Sequence, residues 1–229
     1  MDSGFLLINK PLGDSSFFVI KKLRQITHIK KIGHAGTLDP LATGLLICAI
    51  GREATRRVDT IKGLDKEYQA SIEFGRTSSS YDLDGIITVN NSAVELSKEK
   101  IEGTLKGFLG EQEQMPPIFS AKKIHGVAAY KLARRGLEVA VKPATIRIDQ
   151  LEILSYKWPV LELRVTCGPG TYIRSLAHDL GQTLGTGALL IGLKRTRIGS
   201  FTLSEAKELT DLNNDNWAQF LLPAVDKTE

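Results

Sequence analysis

Residues 33–46, Gly-His-Ala-Gly-Thr-Leu-Asp-Pro-Leu-Ala-Thr-Gly-Leu-Leu, limit the fold more than any other stretch. Three glycines and two alanines let the backbone bend sharply there and let other groups approach it closely. One carboxylate, Asp39, lies in the middle, and Pro40 biases it away from the helical region toward an extended conformation. Residues 44–50 follow as an apolar run with the length of a buried strand. Asp39 is therefore expected on a loop that leads straight into the core, the kind of rigid support a reactive group needs. An isolated Asp-Pro would mean no more than a turn.

At 229 residues the chain can bury one large core or two small ones. Its 42% hydrophobic and 24% charged residues are ordinary for a soluble globular protein. A net charge of +4 suits an anionic partner without requiring one. Cys48 and Cys167 each sit inside an apolar run and read as reduced core residues of a cytosolic protein. The N-terminus lacks the charged region of a signal peptide, and no apolar run approaches membrane-spanning length. A cytoplasmic protein with no membrane partner is expected.

Along the chain, residues 4–8 predict a strand, and Ser15 or Ser16 can cap a helix with Val19, Ile20, Leu23 and Ile26 on one stripe. Lys21, Lys22 and Arg24 face away from that stripe. A basic helix is expected from Gly51 to near Gly63. Residues 66–74 alternate, with Tyr68, Ala70, Ile72 and Phe74 on one face. Residues 75–85 read as a polar loop and 85–89 as a strand. Ser97 opens a helix that Gly110 closes. Met115-Pro116-Pro117 forces an extended segment, and residues 127–135 read as a short basic helix stopped by Gly136. Residues 144–156 and 160–167 predict an antiparallel pair turned near Trp158-Pro159. Thr171 is the natural cap of the next helix, with Tyr172 and Arg174 in its first turn and Gly185 after it. Arg174 there opposes the helix dipole, which suggests a specific anionic partner, against the plainer reading of a solvent-screened surface charge. Residues 188–193 read as a last buried strand, residues 194–197 as a basic edge, and Ser204 as the cap of a short helix.

Residues 33–46 resemble the catalytic motif of the TruB family of tRNA pseudouridine synthases, Gly-His-x-Gly-x-Leu-Asp-Pro-x-Ala-x-Gly-x-Leu. Three further stretches carry the resemblance over nearly the whole chain. Asn9 to Ser16 match an Asn-Lys-Pro-x-Gly-x-(Thr/Ser)-Ser motif, for which we read a structural role in Lys10 and Pro11. Met115 to Lys123 resemble Met-Pro-Pro-x-(Tyr/Phe)-Ser-Ala-x-Lys, part of an RNA clamp expected near residues 113–136. Gly170 to Arg174 match Gly-Thr-Tyr-Ile-Arg. The resemblance implies an α+β pseudouridine synthase catalytic fold over residues 1–229, with a mixed, largely antiparallel sheet flanked by helices and loops. It implies a single domain that ends where the C-terminal PUA domain of many bacterial relatives would begin.

By the same resemblance Asp39 is the catalytic aspartate, Tyr68 the active-site tyrosine and Arg174 the partner of that aspartate. His34 is expected to help hold the base out, and Leu193 to line the uracil pocket. Tyr172 is placed among the substrate contacts. Arg52, Arg56, Lys122, Lys123, Lys194 and Arg195 are expected RNA contacts. The implied reaction turns a T-loop uridine of tRNA, conventionally position 55, into pseudouridine after the base has been flipped out. It breaks a C1′–N bond and forms C1′–C5, needing no cofactor and no metal, in keeping with the lack of nucleotide-binding glycine motifs. The T stem-loop is the expected partner and a monomer the expected state. Two other classes compete with this reading. A metal-dependent phosphohydrolase would use His34, His125 and His178-Asp179, but these are scattered with none at i,i+4. An RNA-binding or RNA-folding protein without catalysis would need only the basic surface.

Overall fold

A computed structural model of the chain describes residues 3–119, 123–124, 127–128 and 142–223. The alternating residues 66–74 form the strand Lys66–Phe74, which buries every second side chain from Lys66 to Phe74. The chain divides into two compact units, one of Met1–Tyr68 with Leu193–Glu229 and one of Gln69–Gly192. It passes from one to the other within the strands Lys66–Phe74 and Ala188–Ile198.

In the first unit the strands run in the order Lys207–Glu208, Gly4–Lys10, Ala42–Ile50 and Ala188–Ile198. The middle pair is antiparallel and the two outer pairings are parallel, so the sheet is mixed as expected. Its core gathers Phe5, Leu7, Leu45, Ile47, Val58, Ile61, Ile198 and Phe201. The helix Ser16–Thr27 buries Val19, Ile20 and Leu23 of its predicted stripe and leaves Ile26 half-buried. Ser15 is the cap and accepts from the Phe18 N–H, which leaves Ser16 for another task. The expected basic helix from Gly51 to near Gly63 is two short helices, Gly51–Arg56 and Val58–Lys62. The 188–193 strand continues to Ile198, so the basic residues 194–197 lie inside it. Near the end, Thr202 and Glu205 form a reciprocal capping box around Leu203–Glu205, displacing Ser204 from the expected cap position.

The second unit orders its strands Lys66–Phe74, Val160–Cys167, Ala144–Lys157 and Gly110–Gln114. The predicted 144/160 pair is present and antiparallel. Leu161, Leu163, Val165 and Cys167 are buried while the residues between them are half-buried. Phe74 stacks on Trp158 and meets Tyr156 edge-on, with ring centroids 6.2 and 6.4 Å apart. The helix Lys98–Leu105 starts at Ser97, whose hydroxyl accepts from the Lys100 N–H. The helix ends at Leu105 and a 3-10 turn covers Lys106–Phe108, so Gly110 opens the strand Gly110–Gln114 instead of closing the helix as predicted. The polar residues 75–85 contain the strand Arg76–Ser78, which pairs with Ile87–Val89. Residues 127–128 are a strand, paired with Lys123–Ile124, where a helix is predicted; the rest of 127–135 lies outside the described residues.

Candidate active site

The Asp39 loop is fastened at several points within the first unit. Gly33 and His34 belong to a short strand, Ile32–His34, whose His34 pairs with Cys48. The Ala35 N–H then donates to Ile47 O at 2.9 Å, continuing the attachment toward the loop. On the other side the Ser16 hydroxyl accepts from Leu38 N–H at 2.8 Å and donates to Leu38 O at 2.9 Å. The Gly13 N–H donates to Pro40 O at 2.8 Å. Both neighbours of Asp39 are thus held by the Asn9–Ser16 motif, while the Asp39 carbonyl accepts from Ala42 N–H at 3.0 Å.

Beneath the loop lies Arg195. It is 1% exposed, and its guanidinium donates to Leu45 O at 2.8 Å and Gly36 O at 3.1 Å. Its expected place on an exposed basic edge is therefore corrected. Strand alternation turns Arg195 inward and leaves its neighbour Lys194 exposed. The strand register sets Arg195 opposite Gly44. Gly44 has φ +99°, and a Cβ there would lie 2.3 Å from Arg195 O, so only glycine fits. Leu193 sits opposite Ala42 in the same pairing, which brings it to the loop's exit.

Lys10 is also buried, its ammonium donating to Pro11 O at 2.8 Å and Asp14 O at 2.6 Å. Burial lowers its pKa to about 8; the carboxylates of Asp14 and Asp39 oppose the shift and the Arg195 charge adds to it. His34 is half-buried, and burial, Arg195 and Lys62 hold its pKa below the ordinary histidine value against the Gly36 backbone. Its imidazole is therefore neutral at pH 7, with Nδ1 lacking a hydrogen-bond partner among the described residues. Tyr68 is on the buried face of its strand. Arg52 and Arg56 are exposed, in the first and last turns of Gly51–Arg56.

The second unit holds Tyr172 and Arg174. The helix runs Ile173–Leu184 with Tyr172, not Thr171, at its cap position. Thr171 instead donates to Gly168 O at 3.0 Å. The Gln114 amide grips the Tyr172 backbone from both sides, accepting from its N–H at 2.8 Å and donating to its carbonyl at 3.1 Å. Arg174 is buried, so the reading of a solvent-screened surface charge does not hold. Its guanidinium donates to Asp82 Oδ2 at 3.1 Å, Ser80 O at 3.2 Å and Phe119 O at 2.8 Å. Asp82 in turn accepts from the Ser80 hydroxyl and from Asp84 N–H. Lys122 lies outside the described residues; of Lys123 only the backbone strand is described. His178 stacks on Tyr81 with ring centroids 3.9 Å apart, while His125 lies outside the described residues. Among the described residues no group of three or more His, Cys, Asp or Glu side chains is placed to hold a metal ion.

In the first unit Ser16 and Arg195 have tasks that differ from the expected cap and surface contact, and in the second unit Asp82 is a residue that the sequence does not single out. A run of two serines hides which one binds the loop. A basic run hides which cation is inside.

A model of the TruB family pseudouridylate synthase N-terminal domain matches residues 24–173, more than half of the chain. The chain belongs to the TruB family. A model of the tRNA pseudouridylate synthase B C-terminal domain matches residues 174–224. A tRNA pseudouridine synthase B from Parabacteroides distasonis is 46% identical over 220 residues, covering 92% of this chain and 93% of the relative. One from Chlamydia felis is 46% identical over 205 residues, 90% of this chain and 86% of the relative. Among solved structures, a Cbf5–Nop10–Gar1 complex matches with a TM-score of 0.72 and 30% identity over 92% of this chain, which spans about half (53%) of the matched chain. An H/ACA RNP bound to a substrate RNA containing 2′-deoxyuridine matches with a TM-score of 0.71 and 27% identity, over 96% of this chain and 59% of the other. The TruB family fold is thus a mixed α+β pseudouridine synthase fold here as well.

Proposed function

We propose that the chain isomerises a uridine in the T-loop of tRNA, at the position conventionally numbered 55, to pseudouridine. The observation that carries the reading is the setting of Asp39: one carboxylate in a TruB-family loop, held through Leu38 and Pro40 and sharing its surroundings with the buried cation Lys10. The reaction is an isomerisation. The C1′–N1 bond breaks, the uracil turns, C1′–C5 forms, the C5 proton is lost and N1 ends protonated. One ionised carboxylate aimed at the nucleoside and shielded from water suffices for a catalytic group of this kind.

Asp39 is the proposed catalytic carboxylate, with Tyr68 as the ring that stacks on the extruded base and Arg174 as the third member of the catalytic set. His34 and Leu193 adjoin the Asp39 loop, which supports a role in holding the base. Neutral His34 suits stacking and hydrogen bonding without adding charge. Tyr172, Arg52, Arg56, Lys122, Lys123 and Lys194 belong to the same proposal as RNA contacts, and Arg195 as the support of the loop. Cytoplasmic location and a monomeric state complete it. No helix among the described residues is long and apolar enough to cross a membrane.

The test is to incubate the pure chain with unmodified tRNA transcript and map pseudouridine by chemical labelling. Conversion of one T-loop uridine is expected, with Asp39→Asn inactive yet binding RNA within a few fold. Turnover by the Asn variant, once contaminating wild type is excluded, would overturn the assignment of Asp39.

A further inference from the structure

The helix Ser16–Thr27 has an outer face that the catalytic reading leaves unused. Phe17 is 65% exposed and Phe18 36% exposed, adjacent large aromatics at the end of the helix nearest the Asp39 loop. A single exposed apolar side chain needs no explanation. Here each ring begins a row of cations. Side chains four apart share a helix face, so Phe17 is followed by Lys21 and then Arg24, and Phe18 by Lys22, whose ammonium lies 5.6 Å from the Phe18 ring centre. All three cations are exposed, and the helix contains no acidic residue to neutralise them. From Phe17 to Arg24 the helix advances about 10 Å at 1.5 Å per residue, room for a short run of nucleotides.

The position of this face adds to its composition. Ser16, next to Phe17, is hydrogen-bonded to Leu38, next to Asp39. The row of rings and charges therefore starts beside the catalytic loop and leads away from it. Aromatic planes interleaved with exposed cations fit single-stranded nucleic acid, whose bases stack on rings while its phosphates meet the charges.

We propose that the outer face of Ser16–Thr27 is a stacking platform for an unpaired T-loop nucleotide neighbouring the target uridine, with Phe17 under the base and Lys21 and Lys22 on the adjoining phosphates. This rests on the proposed action on tRNA and adds a surface that the catalytic residues do not include. Flipping a uridine breaks the stacking of its neighbours, and a ring beside the catalytic loop replaces part of what they lose.

The experiment uses the full chain and a T stem-loop RNA carrying 2-aminopurine, in turn, at each unpaired position beside the target. Wild type should quench one position on binding. Phe17→Leu, apolar but unable to stack, should lose that quenching and weaken binding roughly tenfold, the lower range for one base on one ring. Phe17→Tyr should retain both. Lys21→Ala with Lys22→Ala should lower the slope of log Kd against log salt by about 1.4. Phe17 is exposed, so its variants should melt as wild type does. If wild type binds and converts the RNA while Phe17→Leu shows the same quenching and Kd, the platform is overturned and the catalytic reading stands. If wild type neither binds nor converts the RNA, both fall. Unchanged RNA affinity with loss of a self-associated species in Phe17→Leu assigns the face to a second copy and also overturns the proposal.

Discussion

Arg174 and Asp82 form a buried ion pair at 3.1 Å, their side chains 7% and 3% exposed. The pair gives one anionic contact to a cation in the first turn of a helix. The local dipole disfavours Arg174 there by some tenths of a kcal/mol, roughly, whereas an unpaired buried charge would cost several. The Asp82 carboxylate is one of the groups that offset that cost, beside the Ser80 and Phe119 carbonyls. Asp82→Asn keeps the shape and removes the charge, and is expected to lower stability by about 3 kcal/mol and turnover at least about tenfold. Asp84→Asn, at an exposed neighbouring position, should change neither. Urea unfolding and single-turnover rates of the two variants check this. Matching midpoints for Asp82→Asn and wild type would refute it.

Ser16→Ala removes the hydroxyl that serves both the N–H and the C=O of Leu38. The two backbone groups are left without that partner in a buried place, at about 1–3 kcal/mol each if water does not replace it. We expect a loss of about 2 kcal/mol in stability and a fall in kcat larger than any rise in KM, because the loop carrying Asp39 loosens. Ser15→Ala should show only the loss of a helix cap, about 1 kcal/mol, with kcat kept. Equal kinetics for the two variants would contradict the assignment of Ser16 to the loop.

Lys10 gives a pH test whose sign is fixed. Its folded pKa of about 8 lies below the ordinary value of 10.5. The unfolded chain therefore binds the extra proton between those limits, and the unfolding free energy gains with rising pH across that window. Lys10→Met does not titrate. The stability of wild type minus that of Lys10→Met should thus grow between pH 8 and pH 10.5, measured by urea unfolding at matched salt. A constant difference would show that the ammonium is not held in a poorly solvated place.

Much of this was legible in the chain because the signals were local. The alternation at residues 66–74 gives the strand Lys66–Phe74 with both ends placed, since period-2 burial is written directly into the sequence. The loop carrying Asp39 is equally local, a glycine-rich bend ahead of an apolar run. What escaped depends on partners far along the chain. Ile32–His34 is three residues long and exists through its pairing with residues 48–50. Arg195 reads as one of several surface cations, because the carbonyls that hold it belong to Leu45 and Gly36. Asp82 sits in a polar loop, and its importance appears only with Arg174 in place.

The attachment of Arg195 also has a consequence for synthesis. The carbonyls it binds are 150 and 159 residues upstream. At about 5–20 residues per second, roughly 8–30 s separate the emergence of the Asp39 segment from that of the guanidinium beneath it. Throughout that interval a nascent chain can carry every residue of the Asp39 loop without the support that fixes its backbone. The support of the Asp39 loop is therefore a late product of translation, in place only once the strand Ala188–Ile198 has been made, although the loop itself lies within the first fifty residues.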